Sequence, residues 1–169
     1  MIITKPSERE DNMTKRTSRC NCGQFSLTYD GPDPERISLC QCYSCQKRSG
    51  SLLSVQTRLR RDHVTIEGES KTFTFPQSEK PPVTYRSCDS SGATYHFCPE
   101  CGSTVYGELS IAPDFFVVEV GGFTDPTFPE PIISGFEAEG TAWMMSIKDL
   151  PMPGGHYDYD GTSHGGPRK

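Results

Sequence analysis

Eight cysteines occur in 169 residues, and seven of them fall into three tight clusters: Cys20-x-Cys22, Cys40-x-Cys42-x-x-Cys45 and Cys98-x-x-Cys101. Thiols one or two residues apart pair poorly as disulfides but converge readily on a tetrahedral metal. Seven ligands divide as four plus three. Four thiolates close a zinc site; three leave one position open, and an open position is where chemistry occurs. The pair at Cys98 and Cys101 is followed by Gly102, and Cys20-Asn21-Cys22 by Gly23, each glycine suited to a tight turn. Cys20, Cys22, Cys98 and Cys101 are therefore expected to form a closed structural zinc site that staples the start of the domain to its middle. Cys40, Cys42 and Cys45 are expected to form a second, catalytic site.

The fourth position of that second site is open to water, a substrate thiol or another side chain. Cys88, in a Ser/Gly/Asp-rich loop, is one protein candidate, and its coordination would close the site and argue against catalysis there. His63 and His96 sit in strand-like segments and read as ordinary strand residues, while His156 and His164 lie in a terminal tail. Zinc held by three thiolates is a weak Lewis acid, but it lowers the pKa of a bound thiol. That suits reversible formation and cleavage of a carbon–sulfur bond. Tyr43 and Ser44, inside the ligand loop, read either as hydrogen-bond donors to a substrate or as support for the loop backbone.

The elements that must position these cysteines read as mainly β. Segments 24–29, 63–67 and 71–75 alternate polar and apolar residues with the period of half-buried strands. Gly68-Glu69-Ser70 reads as a hairpin turn between the last two. Residues 93–97 lead into Cys98, 104–109 lead away from the second knuckle, and 115–120 (FFVVEV) is apolar enough for burial on both faces. Fourteen prolines and sixteen glycines leave few, short helices. Residues 1–17 are polar without an apolar period and residues 152–169 are rich in Gly, Pro and Asp, so both read as flexible ends around a domain at 18–151. Trp143, Phe123 and Phe136 read as core aromatics or as a pocket wall. Asp114, Glu119 and Asp125 show no paired-carboxylate spacing and receive no role.

A net charge of −5 argues against general nucleic-acid binding. No apolar run approaches the ~20 residues of a membrane helix. The amino-terminal residues show no hydrophobic signal region, which implies a reducing, cytoplasmic location where clustered cysteines favour metal over disulfide. Hydrophobic residues make up only 33% of the chain, so bound metal should help hold the fold.

Three stretches, CNCG at 20–23, CQCYSCQKRSG at 40–50 and FCPECGSTVY at 97–106, resemble the glutathione-dependent formaldehyde-activating family, which includes the centromere protein V relatives. GGFTDP at 121–126 and AWMMSIKDLP at 142–151 are weaker matches. The resemblance covers residues 18–151. It implies a tent-like zinc fold of coiled antiparallel sheets and the same division into a structural and a catalytic zinc, two per chain. It also implies a carbon–sulfur lyase acting on glutathione adducts of formaldehyde or of another small carbonyl compound or electrophile. Gln41 stands where many members carry His, and Cys88 lies outside the family pattern. Glutathione carries carboxylates, so Lys47 and Arg48, directly after the ligand loop, are its expected contacts. The basic stretch Arg58, Arg60 and Arg61 reads equally as an anion site or as a solvated patch. The implied partners are a small-molecule thiol and a carbonyl substrate, with no nucleic acid and no membrane; a homodimer stays open. The alternatives are a non-catalytic zinc scaffold or interaction module, and a lyase or cyclase adapted to a specialised metabolite.

Overall fold

The computed structural model describes residues 13–75 and 92–141, and the backbone of 156–157. The protein is mainly β, with two sheets and one α-helix among these residues. The smaller sheet has the order β1 (Met13–Arg19), β2 (Ser26–Pro32), β5 (Val64–Glu67), all antiparallel. The larger sheet holds β3 (Ile37–Cys40), β4 (Ser54–Arg60), β6 (Lys71–Thr74), β7 (Thr94–Phe97), β8 (Thr104–Glu108), β9 (Phe115–Glu119), β10 (Ile133–Gly135) and β11 (His156–Tyr157). Their spatial order is β11-β10-β3-β4-β9-β8-β7-β6. Pairing is antiparallel except where β10 runs parallel to β3 and β11. The helix, α1 (Tyr43–Ser49), lies between β3 and β4.

The core forms where both sheets contribute apolar faces. Phe25, Leu27 and Tyr29 meet Leu59, Val105, Tyr106, Phe116, Val118 and Phe123. Leu27 and Val118 are fully buried, and burial of each such side chain stabilises by about 2 kcal/mol. Cys20 and Cys98 belong to this same cluster, so the first cysteine group is built into the core rather than hung on its surface. The middle of β9 is buried on successive residues, Phe116 to Val118, as its unbroken apolar run predicts.

Three elements depart from expectation. The segment through Gly68 is no hairpin: β5 joins the small sheet through β2, and β6 joins the large one through β7. Gly68 instead makes a crossing, with φ +90° and the Gln24 carbonyl where a Cβ would stand, 1.8 Å away, so only glycine fits. Residues 13–17, read as unpatterned, pair as β1. They lack an apolar period because the partners of this strand are polar. Arg16 is held by Asp33 and Asp125 and lies over the Phe128 ring, while Thr17 bonds Thr28. Finally, His156–Tyr157, within the expected tail, adds β11 to the edge of the large sheet. Cys88, Trp143, His164 and the 142–151 match lie outside the described residues.

Candidate metal centres and the cavity between them

The two knuckles of the first centre are built alike. Cys20 donates its N–H to the Phe25 carbonyl at 3.0 Å, and Cys98 donates to the Ser103 carbonyl at 2.9 Å. Each loop turns through a glycine of positive φ, Gly23 (+81°) and Gly102 (+74°). The strands then bring the loops together. Cys22 Sγ lies 3.5 Å from both Cys20 Sγ and Cys98 Sγ, across 76 residues in the second case. All four sulfurs of Cys20, Cys22, Cys98 and Cys101 fall within 4.8 Å of one another. A tetrahedron with metal–sulfur bonds of about 2.3 Å needs sulfurs about 3.8 Å apart, so the donor set fits a thiolate-binding metal.

Their surroundings favour charged sulfur at Cys98 and Cys101 but not at Cys22. Cys20 Sγ accepts from the Phe25 amide at 3.3 Å, and Cys98 Sγ accepts from Gln24 Nε2 at 2.9 Å. Hydrogen bonds from the Ser103 side chain and backbone bring Cys101 down to about 5. At Cys22 the Gln24 amide favours the thiolate, but Cys20, partial burial, Cys98 and Cys101 outweigh it and push the thiol up to about 12. Four thiolates this close repel one another unless a cation stands between them.

The second group sits at a strand-to-helix junction. Cys40 ends β3, opposite Ser54 of β4 and Gly135 of β10. Cys42 is the N-cap of α1, and its Sγ accepts the Cys45 amide at 3.3 Å. All three cysteines are buried, with their sulfurs within 4.8 Å of one another and Phe136 packed against them. Crowding by Cys42 and Cys45, with burial, drives the Cys40 thiol strongly upward. Among the described residues no His, Cys, Asp or Glu adds a fourth ligand. His63 instead meets the Asp30 carbonyl, and His96 meets Glu108.

The loop that holds this triad is braced from residues 135–140. Gln41 donates its amide to the Gly135 carbonyl at 3.1 Å. Glu139 accepts from the Tyr43 amide at 2.9 Å, and Gln46 Nε2 donates to the carbonyls of Gln41 and Glu139. Gln41 is buried against Gly140, where a Cβ would stand 2.0 Å from its Oε1. Tyr43 is exposed, whereas Ser44 is buried with a hydroxyl that has no hydrogen-bond partner.

A polar network leads from the triad to an open cavity of about 580 Å³. Gln56 Nε2 donates to Cys45 Sγ at 3.1 Å and to Ser54 Oγ at 2.7 Å. Ser54 donates to Glu119, and Glu119 pairs with Arg48, which lies over the Tyr95 ring. Burial alone would lower the Arg48 pKa, but the Glu119 carboxylate outweighs it and the guanidinium stays charged. Arg48, Ser54 and Glu119 line the cavity together with Asn21, Cys101 and Ser103 of the knuckle side. The cavity thus runs from the knuckle of the first group to the C-terminal end of α1, the helix that carries Cys45, and Cys40, Cys42 and Cys45 are not part of its lining. Sequence reasoning gave Glu119 no role; its partner is 71 residues away, and only the β4–β9 pairing brings the two together.

The expected anion contacts separate in space. Arg48 lines the cavity, already paired, while Lys47 is exposed on α1 and is not part of the cavity lining. The basic stretch is internally matched, with Arg60 on Asp62 and Arg61 on Glu108. No helix among the described residues is long and apolar enough to cross a membrane.

The family model for the glutathione-dependent formaldehyde-activating enzyme matches residues 15–139. Among solved structures, the chain is similar to a crystal structure of a Rhodobacter sphaeroides protein at 17% identity, over 65% of this chain and 91% of that one, with a TM-score of 0.44. Comparison with curated proteins gave no match.

Proposed function

The chain belongs to the glutathione-dependent formaldehyde-activating enzyme family, and on that premise we propose that it catalyses reversible carbon–sulfur bond chemistry between a small-molecule thiol and an aldehyde. Glutathione is the thiol and formaldehyde the simplest aldehyde. In the forward direction the thiol sulfur bonds to the carbonyl carbon, and the thiol proton ends on the carbonyl oxygen; the lyase direction reverses both. The observation that carries this reading is the buried triad of Cys40, Cys42 and Cys45, which gathers three sulfurs with no fourth His, Cys, Asp or Glu among the described residues.

Zinc is the metal that suits both donor sets, one ion per group. Held by the triad, it would supply an open position and favour the ionised form of a substrate thiol. The remaining work falls to the chain. Gln56 and the Cys45 amide donate to the sulfurs of Cys45 and Cys42, and such bonds fix ligand orientation. Glu139 and Gln46 hold the turn. Ser44, in the ligand turn, has a buried hydroxyl without a hydrogen-bond partner, which supports its meeting a polar group of the substrate. Arg48 is the cation on the cavity side of the helix. A reducing compartment such as the cytoplasm keeps all these thiols available.

The test is exchange kinetics. Magnetisation transfer between 13C-formaldehyde and its glutathione adduct is measured with the zinc-loaded protein and with Cys42→Ser. The protein should accelerate exchange and Cys42→Ser should return it to the uncatalysed rate. No acceleration by protein carrying two zincs would contradict the proposal.

A further inference from the structure

The cavity beside α1 has a charge character that selects among thiols. Its cation and its anion, Arg48 and Glu119, are partners, with side chains only 11% and 21% exposed. Asn21, Ser54, Ser103 and Thr104 add neutral hydrogen-bonding groups, and Cys101, whose sulfur belongs to the four-cysteine group, stands on the knuckle side. A site for a bare carboxylate would present a cation without a counter-charge. A compensated pair suits a group that brings both charges, with a carboxylate towards the guanidinium and an ammonium towards the glutamate. The volume, about 580 Å³, is within the roughly 300–1,000 Å³ usual for small-molecule sites. The network Gln56–Ser54–Glu119 sets this pair two side chains from Cys45 Sγ. The knuckle of the closed centre supplies the opposite wall through Asn21, Cys101 and Ser103.

We propose that this cavity binds the zwitterionic amino-acid end of the thiol substrate, with Arg48 and Glu119 as its specificity-determining pair. The inference rests on the thiol chemistry proposed above and extends it. Glu119 makes the site discriminate against thiols whose amino group is blocked. The structural centre then has a second role, because its knuckle forms part of the substrate wall.

Gly121 offers a clean way to fill the space. It lines the cavity, its φ lies outside the positive region, and a Cβ built there meets nothing within 4 Å. Gly121→Val should therefore add bulk at the cavity lining without disturbing backbone or metal ligands. Titration calorimetry of the full-length, zinc-loaded protein would use reduced glutathione and N-acetylglutathione as probes. Circular dichroism and metal content would confirm folding and loading of each variant. The parent should bind glutathione at least tenfold more tightly than the N-acetyl form. Gly121→Val should lose at least tenfold in glutathione affinity with its zinc content unchanged, and Glu119→Gln should erase the preference between the two probes. Unchanged glutathione affinity in folded, loaded Gly121→Val would overturn the site while leaving the proposed thiol chemistry intact. Equal affinity of the parent for both probes would overturn the zwitterion assignment. A loaded parent that binds neither probe would overturn the proposed function, and this inference with it.

Discussion

The two cysteine groups use the same ligand atom and differ in what gathers it. The four-cysteine group joins two knuckles 76 residues apart, seated on the main core, with Cys22 and Cys101 at the surface. The three-cysteine group is gathered within six residues by one strand end and a two-turn helix, and all of it is buried. A metal shared across the first group closes a long loop and holds both sheets in place. A metal at the second would close almost no chain. On the function proposed above, stability would rest on the first group and reactivity on the second.

The strongest way to break this contrast is to remove one ligand from each. Cys98→Ser opens the long-range staple, and structural zinc contributes on the order of 10 kcal/mol to folding. It should abolish cooperative thermal unfolding by circular dichroism. Cys42→Ser should return adduct exchange to background while leaving a cooperative transition, displaced by a few degrees. Equal loss of folding in both variants would erase the distinction.

Smaller changes sharpen it. Arg48→Met strips Glu119 of its partner at the cavity wall. Breaking a largely buried pair from one side costs about 3 kcal/mol, to be read by urea denaturation, and Glu119→Gln in the same chain should recover part of that loss. Glu139→Ala removes the acceptor for the Tyr43 amide at the start of α1. It should cost about 1 kcal/mol and weaken zinc at the triad without touching the four-cysteine group, as chelator competition would show.

Legibility followed sequence distance. The cysteine groups were readable because their spacing is local, and even the long-range pairing of 20/22 with 98/101 followed from two matching knuckle patterns. The strands through 26–29, 94–97, 104–108 and 115–119 were readable from alternation or apolar runs. The Arg48–Glu119 pair was not, since a lone glutamate in FFVVEV carries no mark of a partner on another element. The polar β1 escaped because its inward contacts are ion pairs and hydroxyls rather than apolar packing. Gly68 misled because a glycine between two short strands looks the same whether the chain turns back or crosses to another sheet.

The smallest effect concerns pH, away from both centres. Burial pushes the Glu108 carboxyl up, but hydrogen bonds and charge from Arg61 and His96 prevail and hold it below the ordinary glutamate range. A carboxylate with a lowered folded pKa stabilises above its unfolded pKa, and that stability is lost as pH falls through the folded one. Parent and Glu108→Gln should therefore differ most at neutral pH, by less than about 1 kcal/mol for so exposed a group. The difference should shrink as pH falls below about 4.3. Both cysteine centres titrate alike in the two proteins and cancel in the comparison, which is read from paired urea curves.

One closed and one open centre in the same chain would differ in metal content and in ligand binding, and native mass spectrometry with and without glutathione reads both. Two zincs per chain and one added glutathione are expected, with one zinc and no glutathione adduct in Cys42→Ser. A single zinc per chain whatever the ligand, or a glutathione adduct that survives Cys42→Ser, would contradict that division.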